Sequence, residues 1–216
     1  NIYIKNLLQF CHKWNLTNKR KVFIYGVDCQ DIKLAQKDVC DNKTIHCSIV
    51  KDIIKNFNIM KYSKNYWNRR DSMWKKIIKK VNCGKFILWA HNSHIGDATA
   101  SNNGGTDFTS NNTWNLGQMC RAMFNNTFII GLGTYVGTVR AASSWGDKED
   151  IFALTLPIDE SIEAFIYKQC QIRNIKNCYL DFSKCNDIFP YCNFVKQRMI
   201  GVIYSPTTEL KSHYVT

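Results

Sequence analysis

The sequence predicts an α/β domain built around a mainly parallel sheet, and three observations carry that reading. Continuous apolar runs of strand length recur at residues 21–28, 85–90, 127–133 and 199–204. Strands buried on both faces of a parallel sheet lose the in–out alternation of a surface strand, as these runs do. Segments with apolar residues at helical spacing are interleaved with them. No internal repeat and no Pro- or Ser-rich linker divides the chain, so residues 1–216 read as a single domain.

Composition agrees with a folded core. With 45% hydrophobic residues, 21% charged residues and three prolines in 216 residues, the chain is not of the disordered class. A chain of this length buries about 70% of the surface that its unfolded form exposes. Its longest apolar stretches, such as 86–90, fall far short of the roughly 20 residues that cross a bilayer, which argues against a membrane protein. The net charge of +12 raises the question of a polyanionic partner. The excess is mostly Lys, scattered, and accompanied by heavy use of Asn and Ile, as an AT-rich coding sequence produces. Nucleic-acid binding is therefore disfavoured, and salt-sensitive retention on polyanions is what it would require.

Ten cysteines are spread thinly with no Cys-x-x-Cys pair, so a zinc ribbon is not expected. Several lie inside apolar patterns, where a free Cys acts as a small hydrophobe. A reducing cytoplasm is the expected compartment. The chain starts Asn1-Ile-Tyr-Ile-Lys5 without Met or leader, which reads as part of something longer.

The elements follow in order. Ile4, Leu7, Leu8, Cys11 and Trp14 form a helical stripe, and 18–21 is a polar break before the first apolar run. Residues 32–62 are more polar and irregular. A long helix is predicted over 66–81, with Trp67, Arg70, Met73, Trp74, Ile77, Ile78 and Val81 near 3.6-residue spacing and Gly84 beyond its end. The second run then leads straight into His91-Asn-Ser-His-Ile-Gly-Asp97. Residues 98–112 are a small-polar loop and 115–124 a short helix. After the third run, 135–142 reads as a hairpin strand and 152–156 as another strand. Pro157 and Asp159 open a helix over 160–171. The run 199–204 is the last strand.

Ligands of open α/β sheets bind on loops leaving the carboxyl ends of strands. The densest set of chemically useful groups sits at such an end. His91, His94 and Asp97 are spaced by three, which places them on one side if the turn after Ala90 is helical. A histidine can exchange a proton near neutral pH, and a carboxylate can fix its tautomer. Metal binding by His91, His94 and Asp97 is the competing reading, ranked below acid–base work, and no cofactor is expected otherwise. His12 and His46 read as surface residues. Trp89, Trp114, Trp145 and Tyr135 read as core side chains or as walls of an apolar cleft.

Trp89-Ala-His-Asn-Ser-His-Ile-Gly-Asp-Ala98 resembles the signature of the erythromycin esterase family, Trp-Ala-His-Asn-x-His-x-Gly-Asp. Five further segments resemble that family in the same order: Phe23-Ile-Tyr-Gly-Val-Asp28, Trp67-Asn-Arg-Arg-Asp71, Asn115-Leu-Gly-Gln118, Gly131-Leu-Gly-Thr-Tyr-Val-Gly-Thr-Val139 with Ala141-Ala142, and Ile200-Gly-Val-Ile-Tyr-Ser-Pro206 with Glu209 and Ser212-His-Tyr214. The resemblance implies a three-layer α/β/α fold with a helical insertion, and hydrolysis of a carboxylic ester or lactone by histidine-activated water. Macrolide ring opening, and with it antibiotic resistance, is the best-known case. By position it makes His91 and His94 the catalytic histidines and Arg70 an anion or carbonyl contact. Asp71 and Asp97 become orienting carboxylates, with Asn92 and Tyr135 as further supporting or substrate-binding residues. His213 falls in the closing segment, in a structural role.

The departures also matter. The family's amino-terminal part, with a Glu and the histidine usually proposed as base, is not matched, so the chain reads as the later portion of the family domain. Met73 and Tyr135 stand where relatives often carry His. The alternative expectation is thus a non-catalytic relative that binds a ligand or partner.

Overall fold

The structure, a computed structural model, describes residues 2–28, 66–81, 84–100, 114–184 and 195–215, with positions 51 and 55. The chain divides into two compact units, residues 1–56 and 57–216. Among the described residues no helix is long and apolar enough to cross a membrane.

In the first unit, helix α1 spans Ile2–Thr17, and among its residues only Cys11 is buried. The chain turns back at residues 18–20 and is tied to the helix by side chains. The Asn15 amide donates to the Val22 carbonyl and accepts the Val22 N–H, both at 2.7 Å. Trp14 Nε1 donates to the Arg20 carbonyl at 2.9 Å. These bonds replace a strand ladder with a side-chain clasp. The 21–28 run joins no ladder among the described residues, and its Phe23 and Ile24 stay exposed.

The second unit carries helix α2 at Tyr66–Val81, a one-turn helix α3 at Asn92–Ile95, and helix α4 at Leu116–Met123. Strands β1 (Thr138–Ala141) and β2 (Asp150–Ala153) follow as an antiparallel hairpin. Helix α5 is Ile162–Ile172, strand β3 is Gln197–Arg198, helix α6 is Glu209–Ser212, and strand β4 is Tyr214–Val215, antiparallel to β3. Among the described residues, parallel contact is limited to isolated bridges between Ala142 and Ile203 and between Ser161 and Lys196. Thus the 199–204 run reaches one parallel bridge through the Ala142 N–H and Val202 carbonyl at 2.9 Å.

The runs at 85–90 and 127–133 form no ladder among the described residues, and Ile87 is 96% exposed. A strand exists only through a partner's hydrogen bonds, so apolar content alone does not place one. Trp89, Trp114 and Trp145 are likewise exposed rather than core.

Packing is tightest where α2, α3 and α4 meet. Met73, Trp74, Ile77 and Ile78 of α2 and Leu116 and Cys120 of α4 are buried. Gly117 explains how close the approach is. A Cβ there would lie 2.0 Å from the Ile95 carbonyl oxygen and 2.1 Å from that of Gly96. Only a residue without a side chain lets α4 rest on the end of α3. Asn115 caps α4, its Oδ1 accepting the Gln118 N–H at 3.0 Å, and its amide donates to the Ser93 carbonyl at 3.0 Å.

Candidate active site

Asp71 sits on the α2 face that meets α3 and α4, and its side chain is wholly inaccessible to solvent. A carboxylate taken out of water needs donors. Asp71 has two from different elements. Its Oδ2 accepts the Leu116 N–H at 2.8 Å, in the first turn of α4, where the helix dipole favours negative charge. Its Oδ1 lies 2.9 Å from His94 Nδ1, with Oδ2 at 3.2 Å. A carboxylate only accepts, so Nδ1 carries a proton, and in the neutral ring the lone pair falls on Nε2. Among the described residues Nε2 has no hydrogen-bond partner, and it is not one of the sealed unpaired polar atoms. This is the arrangement in which a carboxylate holds an imidazole as a base.

The His94 ring is held by aromatic side chains as well. Trp67 stacks on it at 4.1 Å between centroids with 3° between planes, and Trp74 approaches at 4.6 Å, tilted by 60°. The Arg70 guanidinium lies 4.6 Å over the Trp74 ring.

His91 is placed differently. It caps α3, with Nδ1 accepting the Ser93 N–H at 3.3 Å and lying 2.7 Å from Ser93 Oγ. Its Nε2 is 2.7 Å from the Ile200 carbonyl. That carbonyl can only accept, so Nε2 carries the proton and Nδ1 takes the Ser93 hydrogens. Both ring nitrogens are engaged, and His91 ties the α3 turn to the 199–204 run. Asn92 adds a second tie, its amide donating to the Leu132 carbonyl at 2.6 Å and accepting the Leu132 N–H at 3.2 Å.

Asp97 does not join the histidines. Gly96, extended at φ −62° and ψ −179°, ends α3 before it. Asp97 Oδ1 accepts from Thr99 N and Oγ1 at 3.0 and 2.5 Å, and Oδ2 meets Arg121 Nη1 at 3.0 Å. His91, His94 and Asp97 are accordingly not assembled as a ligand set. Among the described residues no group of three or more His, Cys, Asp or Glu side chains could hold a metal ion.

Tyr135 belongs to a separate buried polar hub, which the spacing of residues did not reveal. Tyr135 stacks on Tyr167 of α5 at 3.7 Å and 3°. Its carbonyl accepts from Arg198 Nη1 at 3.0 Å. Arg198 also donates to Tyr214 Oη and to the Thr134 and Thr155 carbonyls. Its Nε lies 2.6 Å from Glu209 Oε1, with both side chains 1% exposed. The Nε hydrogen is aimed at Tyr214, so that contact is electrostatic rather than an in-line hydrogen bond. Glu209 Oε2 accepts from Tyr204 Oη at 2.5 Å and from the Thr155 hydroxyl. Burial, then the Glu209 contact, pushes the Tyr204 hydroxyl above its ordinary pKa. Glu163 on α5 accepts the Arg198 N–H at 3.1 Å, and burial pushes its carboxyl up. His213, at the rim of this hub, is pushed down by burial. Glu209, which the closing segment of the family resemblance includes, is the hub residue that the sequence singled out; its partners were not legible there.

A carboxylate–imidazole pair of this kind can take up and release a proton at Nε2. The family model for erythromycin esterase matches residues 34–216, and the chain belongs to that family, with an esterase-type, hydrolytic function at the level that the family sets. No solved structure matches the chain.

Proposed function

We propose that this domain hydrolyses a carboxylic ester or lactone with His94, rather than the unmatched upstream histidine that the resemblance implies, as the base that activates water. The single observation that carries the reading is the Asp71–His94 pair, with Nδ1 held by the carboxylate and Nε2 without a hydrogen-bond partner among the described residues. Water bound at Nε2 gives up a proton as it attacks the carbonyl carbon. Asp71 then balances the charge gained by the imidazole, which returns the proton to the leaving oxygen as the acyl carbon–oxygen bond of the ester breaks. A positioned base of this kind contributes about 10²- to 10⁴-fold in rate.

In this reading the two histidines divide the work. His94 exchanges the proton, while His91 holds the α3 turn through Ser93 and Ile200. Arg70 is the candidate contact for a developing oxyanion once it leaves the Trp74 ring. A macrolide lactone is the substrate that the family name brings forward. Hydrolysis of an aryl ester and of a macrocyclic lactone, compared in the unmodified chain and in His94→Gln and His91→Gln variants, tests the scheme. The expected outcome is loss in His94→Gln and partial activity in His91→Gln. Equal turnover in His94→Gln and the unmodified chain overturns it.

The fold proposed for the family domain remains the three-layer α/β/α arrangement. Its support is the apolar content of the exposed runs at 85–90 and 127–133, which suits strands paired on both sides. Amide hydrogen exchange over these runs separates the cases, since paired amides are protected and unpaired ones are not. A cytoplasmic setting is proposed on the free thiols of Cys11, Cys120, Cys170 and Cys178.

A further inference from the structure

Trp67, Asp71 and Trp74 stand at positions i, i+4 and i+7 of α2, so one face of one helix presents a carboxylate flanked by two indoles. The imidazole of His94 enters the slot between them. It lies parallel to Trp67, meets Trp74 at an angle, and reaches Asp71 at the base. Asp71 alone leaves the ring free to rotate about the Nδ1 hydrogen bond. A parallel stack with 3° between planes removes that freedom and fixes where Nε2 points. Trp74 is 4% exposed, His94 8% and Asp71 0%, so the Nδ1–carboxylate bond lies out of water, with the half-buried Trp67 over the face of the imidazole.

We propose that Trp67 is a positioning residue for His94, setting the ring plane and shielding its bond to Asp71. The proposal rests on the reading of His94 as the base, yet one of its consequences is visible without turnover. A shielded Nδ1–H exchanges slowly with water and gives a low-field proton resonance.

The test uses the full chain with labelled histidine, the resonance being assigned by its loss in His94→Gln. Trp67→Phe keeps an aromatic face and is expected to retain the resonance. Trp67→Leu is expected to lose it, with exchange at least about tenfold faster, while circular dichroism and the unfolding midpoint show a folded protein. If Trp67→Leu does not fold, Trp67→Met serves the same comparison. On an ester substrate, Trp67→Leu is expected to lower kcat by about 10- to 100-fold with KM nearly unchanged, as a misplaced catalytic group does. Retention of a slowly exchanging resonance in folded Trp67→Leu overturns the proposal, as does a rise in KM at constant kcat. Absence of ester hydrolysis in the unmodified chain overturns the reading of the function instead, and the resonance then decides the role of Trp67 alone.

Discussion

Asp71 and His94 are 23 residues apart in the chain, and Oδ1 and Nδ1 are 2.9 Å apart in the structure. The second oxygen of the same carboxylate accepts the Leu116 N–H. One buried side chain thus joins α2, α3 and α4 and fixes the tautomer of the histidine. Asp71→Asn keeps the shape but turns an N–H or a weaker acceptor toward Nδ1. Steady-state kinetics on an ester are expected to show kcat lower by about 10²- to 10⁴-fold, with KM changed far less.

Gly117 sets the distance that this junction needs. Alanine normally favours a helix over glycine by about 1 kcal/mol. Here its Cβ would fall 2.0 Å from a backbone oxygen that has no soft way to move. The clash outweighs the propensity. Gly117→Ala is expected to lose about 1–3 kcal/mol in urea unfolding, and activity with it.

The Arg198–Glu209 pair holds β3, α6 and the Thr155 segment together with both charges out of water. Removing one partner leaves the other charged and buried. Glu209→Ala is expected to cost about 3–5 kcal/mol by chemical denaturation. The double change Arg198→Met with Glu209→Leu is expected to cost less than the sum of the single changes.

Burial holds the pKa of His213 below its ordinary 6.5, against smaller opposing contributions from the Met199 backbone and Glu209. The folded form therefore binds its proton less readily than the unfolded chain. Its contribution to stability is complete above pH 6.5 and is lost as the pH falls from there through the lower folded value. Unfolding midpoints between pH 7 and 5 are expected to fall for the natural chain and to fall less for His213→Gln.

The sequence made some of this legible and hid the rest for identifiable reasons. Helix α2 has the bounds that its apolar spacing predicts, and α4, α5 and the hairpin lie within a few residues of expectation. Those features depend on local periodicity and capping. His91, His94 and Asp97 looked equivalent because a spacing of three assumes a continuing helix, and Gly96 ends it before Asp97. The partnership of Asp71 with His94 was open only as an orienting role, since spacing does not show which distant helix face meets the turn. The hub around Arg198 joins residues up to 64 positions apart and left no local pattern. The apolar runs at 21–28, 85–90 and 127–133 carried strand composition without the information on partners that defines a sheet.

The central claim is that His94, held by Asp71, is the base. Its most direct test is the pH-dependent rate of ester hydrolysis by the natural chain and by His94→Gln at matched folded concentration. The account predicts that the natural chain hydrolyses the ester and that kcat/KM in His94→Gln falls by about 10²-fold or more across the profile. An unchanged profile in a folded His94→Gln protein contradicts it.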